Sequence, residues 1–177
     1  MGIDFAGYHT HNGLVFAPSY CVRRQAEWAE HDKQVCLLLG APSNLAGRYK
    51  MCFPGKVHDI GPPSACDWCD TLVCGANASC GLHIRGDDAY VSRLCALPRQ
   101  QGHGSRFVGR LNEVLRESGV RRVWLFADQG VQPKLLDFYT DKCGFLSVQR
   151  GAGPVPPEWV DEMWGDDFLF CAELGSV

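Results

Sequence analysis

The chain has no apolar run approaching the ~20 residues that a helix needs to cross a bilayer. Its opening, MGIDFAGYHTHNG, has neither a basic cluster nor a continuous apolar segment, so no secretory leader is expected. Met1-Gly2 begins like an N-myristoylation site, but Ala6 stands where that motif requires Ser or Thr. There is no internal repeat, no low-complexity tract and no basic stripe of the kind that follows nucleic acid. Lys and Arg are missing altogether after position 150. These absences lead us to expect a soluble, cytoplasmic protein, not bound to membrane or nucleic acid. Its 177 residues suit a single domain, 1–177, with a substantial core and room for one long insertion.

What is present is unevenly placed. The segment from Gly151 onward holds six acids (Glu158, Asp161, Glu162, Asp166, Asp167, Glu173) and so carries −6 of a net −3, leaving +3 on the rest. Two readings stand: a solvated acidic face, or a wall that attracts a cationic amine. Residues 41–80 are rich in Pro, Gly and Cys and read as an irregular insertion or substrate loop. Of the ten cysteines, Cys36, Cys95 and Cys171 lie inside apolar runs, where a thiol serves as a small hydrophobe. Cys66-x-x-Cys69 has metal-ligand spacing, and Cys74, Cys80 or His83 could complete a set. A second C-x-x-C is missing, however, so free thiols are expected rather than zinc.

In chain order, residues 1–20 show no clear period. Arg23 to His31 reads as a polar helix and Gln34 to Leu39 (QVCLLL) as a short buried strand. Thr71 to Cys74 is short and apolar. Gly81 to Arg85, a Gly-Asp-Asp cluster and the run from Ala89 to Leu97 read as a hairpin. Pro98 stops that strand. Arg99-Gln100-Gln101-Gly102-His103-Gly104-Ser105-Arg106 forms a glycine turn, after which Phe107, Val108, Leu111, Val114 and Leu115 recur at helical spacing to Ser118. Glycines allow close approach to an anion, and the amides and dipole of a helix start favour one. A strand from Val120 to Asp128 and a helix from Gln132 to Lys142 come next, then strands at Phe145 to Gln149 and Phe168 to Leu174 around a Pro-rich link.

The succession of strand, Arg99-x-x-Gly102-x-Gly104, helix, strand, and Phe138-Tyr139 before Gly144-Phe145 resembles the GNAT superfamily of acyl-CoA N-acyltransferases, over roughly residues 88–150. The resemblance implies an α/β fold of the α+β type: a central mixed, mostly antiparallel sheet flanked by helices, with a V-shaped splay between its two central strands. It implies transfer of an acetyl group from acetyl-CoA to a primary amine (a small molecule, a polyamine or a lysine) by direct attack in a ternary complex, in a protein that could form a homodimer. The cofactor pyrophosphate is assigned to the turn, with Arg99, Gln100, Gln101, Gly102, His103, Gly104, Ser105 and Arg106 around it. The thioester carbonyl is assigned to a backbone N–H within Leu94, Cys95 and Ala96. Gln132, which opens the second helix, also faces the cofactor in this reading.

Tyr139 is the implied general acid, since a phenol with a reference pKa of about 10 keeps its proton at neutral pH. Here four residues separate this tyrosine from Gly144 where the family has three, so Thr140 is the alternative. Beginning the turn motif at Gln101 is a rival register, but the Arg99 register alone sets Phe107, Val108 and Leu111 on apolar positions. Asp88, His83 or a water chain could serve as the base. The other function class is a GNAT-like module without chemistry that binds CoA, zinc or a protein. A nucleotide-binding fold is disfavoured, because no Walker lysine follows the glycines and no ribose-binding acid lies ~20 residues on.

Overall fold

The computed structural model describes residues 7–18, 25–40, 71–96, 101–127 and 133–175. The chain opens with a hairpin of β1 (His9–His11) and β2 (Leu14–Pro18). Asn12 and Gly13, at φ 52° and 74°, make its two-residue turn. Both angles are left-handed, which is the geometry that lets a two-residue turn match the twist of the strands it joins. The sequence itself shows no clear period over residues 1–20.

A 3₁₀ turn (Gln25–Glu27) leads into α1 (Trp28–Leu39). The strand expected over Gln34 to Leu39 is therefore the second half of a helix. His31, Val35 and Cys36 are buried while Leu37 is 74% exposed, so the apolar string winds around a helix instead of alternating across a strand. Gly40, left-handed at φ 66°, ends it by donating to the carbonyls of Cys36 and Leu37.

Residues 71–80, assigned to the insertion in the sequence reading, are instead regular: β3 is Thr71–Cys74 and β4 (Ala78–Arg85) has already begun. The apolar side chains of Leu72 and Val73 pack on opposite faces, as a central strand requires. Then come β5 (Asp88–Ala96), α2 (His103–Glu117), β6 (Arg122–Ala127), α3 (Pro133–Asp137) with a π-helical continuation over Phe138–Lys142, β7 (Leu146–Val148), α4 (Glu158–Asp161) and β8 (Phe168–Glu173). The expected hairpin joining β4 to β5 is present, with Gly86 at φ 64° in its turn.

The eight strands form one sheet in the order β1-β2-β3-β4-β5-β6-β8-β7. Every neighbouring pair is antiparallel except β5 and β6. This is the mixed, mostly antiparallel sheet that the resemblance implies. The apolar stripe of α2 (Phe107, Val108, Leu111, Val114, Leu115) packs on one face against Phe16, Val73, Leu82, Ala89 and Val123. On the other face α1 covers Val15, Ala17 and Leu72, and α4 covers Trp124, Leu169 and Cys171. Cys36 and Cys171 are buried free thiols, as expected, whereas Cys95 is a disulfide-bonded half-cystine. No helix among the described residues is long and apolar enough to cross a membrane.

Candidate active site

The site begins with the one parallel contact in the sheet. β5 and β6 pair only through Asp88 with Arg122, Ala89 with Val123 and Tyr90 with Trp124. β5 continues to Ala96 against β4, and β6 continues to Ala127 against β8, without pairing to each other. Two strands joined at one end and unpaired beyond Tyr90 and Trp124 make a V whose facing edges, among the described residues, are not bonded to each other.

A bulge shapes one wall. Ser79 pairs with Cys95 and Gly81 with Ser92, so Cys80 alone faces both Arg93 and Leu94. Arg93 sits at φ 51°, the left-handed position that a bulge of this kind demands and that a side chain makes unfavourable. The extra residue bends β5 just before its last residues, Leu94, Cys95 and Ala96, the last two of which resume pairing with Ser79 and Ala78 on β4 and leave their other edge to the side where β6 has parted. These are the residues assigned to the thioester carbonyl.

The chain then enters the glycine turn. Gly102 is the N-cap of α2 at φ 78°, and no side chain caps the helix. The first intrahelical bond runs from the Arg106 N–H to the Gly102 carbonyl at 3.2 Å, which leaves the first-turn amides of Gly102, His103, Gly104 and Ser105 without an intrahelical acceptor. The Arg106 guanidinium folds back over the turn, its Nη2 donating to the Gln101 carbonyl at 3.0 Å and lying 3.1 Å from His103 Nδ1. Ser105 Oγ donates to the Gly102 carbonyl at 3.2 Å. Open amides, a helix dipole and a guanidinium thus converge where an anion would be held. His103 is engaged by Arg106.

Gly104 is needed for a different reason. A Cβ there would stand 3.0 Å from Phe138 Cζ and 3.5 Å from Ala96 Cβ. The start of α2 is therefore pressed against both the end of β5 and the π-helical turn, which ties the glycine turn to the element that carries Tyr139.

Tyr139 is buried against Phe138, Phe145 and Phe170, the last with ring centroids 5.3 Å apart. Burial, and secondarily the neighbouring Cys143, pushes its phenol up to about 12. Thr140 points the other way: it is exposed, and its hydroxyl bonds back to the carbonyls of Leu136 and Asp137 at 3.3 Å. The π turn accounts for the extra residue before Gly144. A π-helix is an α-helix with one residue inserted, and the Cys143 N–H reaches the Phe138 carbonyl five residues back at 3.1 Å.

Asp88 lies at the closed end of the V, six residues or roughly 20 Å along β5 from Leu94 at a strand rise of ~3.3 Å. Its carboxylate takes a bond from Trp124 Nε1 at 2.8 Å and pairs with Arg122 Nε at 3.1 Å. The fold does not bring it to the splay. His83, across from Tyr90 on β4, stacks edge-on against Trp159 at 5.3 Å and stands one strand away from the opening. Arg99, Gln100 and Gln132 lie outside the described residues, as do Cys66 and Cys69. Cys74 and Cys80 occupy core positions in separate clusters.

Sequence reasoning missed Ser92. Its Oγ is buried on β5 beside the splay, with no hydrogen-bond partner among the described residues. A lone serine in an apolar run carries no signal until the neighbouring strand is seen to leave.

No protein-family model matches the chain, and no curated protein sequence matches it. Among solved structures it is similar to a GNAT-family acetyltransferase from Staphylococcus aureus Mu50, at 12% identity and TM-score 0.49, over 92% of this chain and 99% of that one. It is also similar to the ribosomal-protein-S18-alanine N-acetyltransferase of Escherichia coli, at 18% identity and TM-score 0.44, over 60% and 69% of the two chains. A third similar structure is N-acetylglutamate synthase from Neisseria gonorrhoeae in complex with coenzyme A and N-acetyl-glutamate, at 14% identity and TM-score 0.44, over 59% of this chain. The match spans a quarter of that synthase's length (25%).

Proposed function

From the GNAT fold of this chain we propose that it is an N-acetyltransferase, moving an acetyl group from acetyl-CoA to a primary amine within a single domain. The observation that carries the reading is the V between β5 and β6, opening directly into the uncapped, glycine-lined start of α2. A diphosphate would lie on the amides of Gly102 to Ser105 beside Arg106, with Gln101 near it. The acyl arm would then thread the V. The thioester oxygen would meet an amide within Leu94, Cys95 and Ala96, where fixed donors stabilise developing charge with little reorganisation.

In the transfer the amine nitrogen bonds to the carbonyl carbon, the C–S bond breaks with its electrons on sulfur, and the nitrogen sheds a proton. Tyr139 is the group we place at the sulfur. At about 12 its phenol is a weaker acid than a thiol with a reference value of about 8.5. It would therefore stabilise the thiolate by donating a hydrogen bond, with full protonation coming from solvent. The base is best sought at His83 or a water chain, because Asp88 is committed to Arg122 and Trp124.

The test is incubation with acetyl-CoA and spermidine, phenethylamine or a lysine peptide, reading free CoA thiol. Thiol release that depends on an amine supports the reading. A CoA-induced thermal shift without release by any of the three would favour a binding module instead.

A further inference from the structure

The strongest unexplained feature is a single hydroxyl. On β5, Ala89 and Val91 face the α2 side of the sheet, and Tyr90 packs on the α4 side. Strand alternation therefore puts Ser92 on the α4 side, two residues beyond Tyr90. In a regular sheet its hydroxyl would have side-chain neighbours on both flanking strands. Here neither is available. On β4 its partner is Gly81, which has no side chain. On the other side β6 has just parted from β5, since Tyr90 with Trp124 is the last pair. The next β6 residue facing this way is Phe126, whose ring meets Tyr90 edge-on at 5.7 Å.

At the root of the V the Tyr90–Phe126 pair therefore stands on the same face of the sheet as one polar atom. That atom, Ser92 Oγ, is buried and has no hydrogen-bond partner among the described residues, while the residue as a whole is only half-buried. A buried hydroxyl without a partner is a cost to the folded chain that alanine would not incur.

We propose that Ser92 is a specificity residue for the acceptor: its hydroxyl receives an N–H of the incoming primary amine and so aims the nitrogen lone pair at the thioester carbon, with the Tyr90–Phe126 pair against the amine's carbon stem. The inference rests on the transferase reading. It assigns Ser92 to the amine and not to acetyl-CoA, whose holding groups lie in the α2 turn and the last residues of β5.

The experiment compares the full chain with Ser92→Ala and Ser92→Thr, using acetyl-CoA with spermidine, phenethylamine or the lysine peptide. For Ser92→Ala the KM for the amine should rise about tenfold, the worth of one hydrogen bond, while the KM for acetyl-CoA stays within about twofold. Ser92→Thr keeps the hydroxyl and should restore the amine KM to within about threefold of the starting protein. Melting of Ser92→Ala should be unchanged or higher, because no bond within the protein is lost. An unaltered amine KM in an active Ser92→Ala variant overturns the inference alone, as does an equal rise in both KM values, a Thr variant as impaired as Ala, or a lowered melting temperature. Absence of thiol release by the unsubstituted chain with all three amines overturns the transferase reading, and this inference with it.

Discussion

At the scale of single residues, the turn and the phenol make separable predictions. Gly104 leaves no room for a branched side chain between Phe138 and Ala96. Gly104→Val should push Phe138 aside at a cost of about 1–3 kcal/mol in chemical denaturation, and should weaken CoA binding in calorimetry because the displaced helix start carries the amides. Normal CoA affinity in a folded Gly104→Val protein would move the diphosphate elsewhere. Tyr139→Phe keeps the ring packing on Phe145 and Phe170 and removes only the hydroxyl. Turnover should fall by roughly 10- to 10²-fold, the worth of one hydrogen bond to a charged atom, with CoA affinity near normal. Unchanged turnover would assign the sulfur's partner to another group.

At the scale of elements, the V depends on its closed end. Asp88 is 8% exposed and receives both Trp124 Nε1 and the Arg122 guanidinium, whose Nη1 also donates to the Val155 carbonyl at 3.2 Å. Removing the carboxylate strands an indole N–H and a cation between the first residues of β5 and β6. Asp88→Ala should cost about 2–3 kcal/mol, below the figure for a fully buried pair because Arg122 reaches solvent. Asp88→Asn, which still accepts from Trp124, should lose less than half of that by urea denaturation. Equal losses in the two variants would show that the indole bond is immaterial.

The same scale separates what was legible in the sequence from what was not. The β5, turn and α2 series was readable because strand, glycine and 3.6-residue signals follow one another without overlap. The run Gln34 to Leu39 was not, since six apolar-rich residues fit a strand or half a helix, and only the exposure of Leu37 beside buried Cys36 decides. The β1–β2 hairpin did have its signal in Asn12-Gly13, a pair that favours a two-residue turn. The spacing of Tyr139 to Gly144 looked irregular because a π turn, which depends on packing around Phe138, leaves no mark in composition. The pairing of Asp88 with Trp124 and Arg122 joins residues more than thirty positions apart, beyond the reach of local patterns.

For the whole molecule, burial of titratable groups sets a limit at high pH. Tyr139 is raised from 10.0 to about 12 by burial and then by Cys143; Cys143 rises from 9.0 to about 12 by burial. Cys171 rises from 9.0 to about 12, burial being the leading cause. In each case the folded chain holds its proton more tightly than the unfolded one. The stabilisation is fully present below about 9, where both states are protonated, and drains away as the pH climbs towards 12. Between these limits each group should cost roughly 1.4 kcal/mol per pH unit once the unfolded form has lost its proton. Urea midpoints should therefore be flat from neutrality to about pH 9 and fall steeply above it. Tyr139→Phe and Cys143→Ala should each make the decline above pH 10 shallower, whatever they do to stability at neutral pH. A decline of unchanged steepness in both variants would show that these buried groups do not govern the alkaline limit.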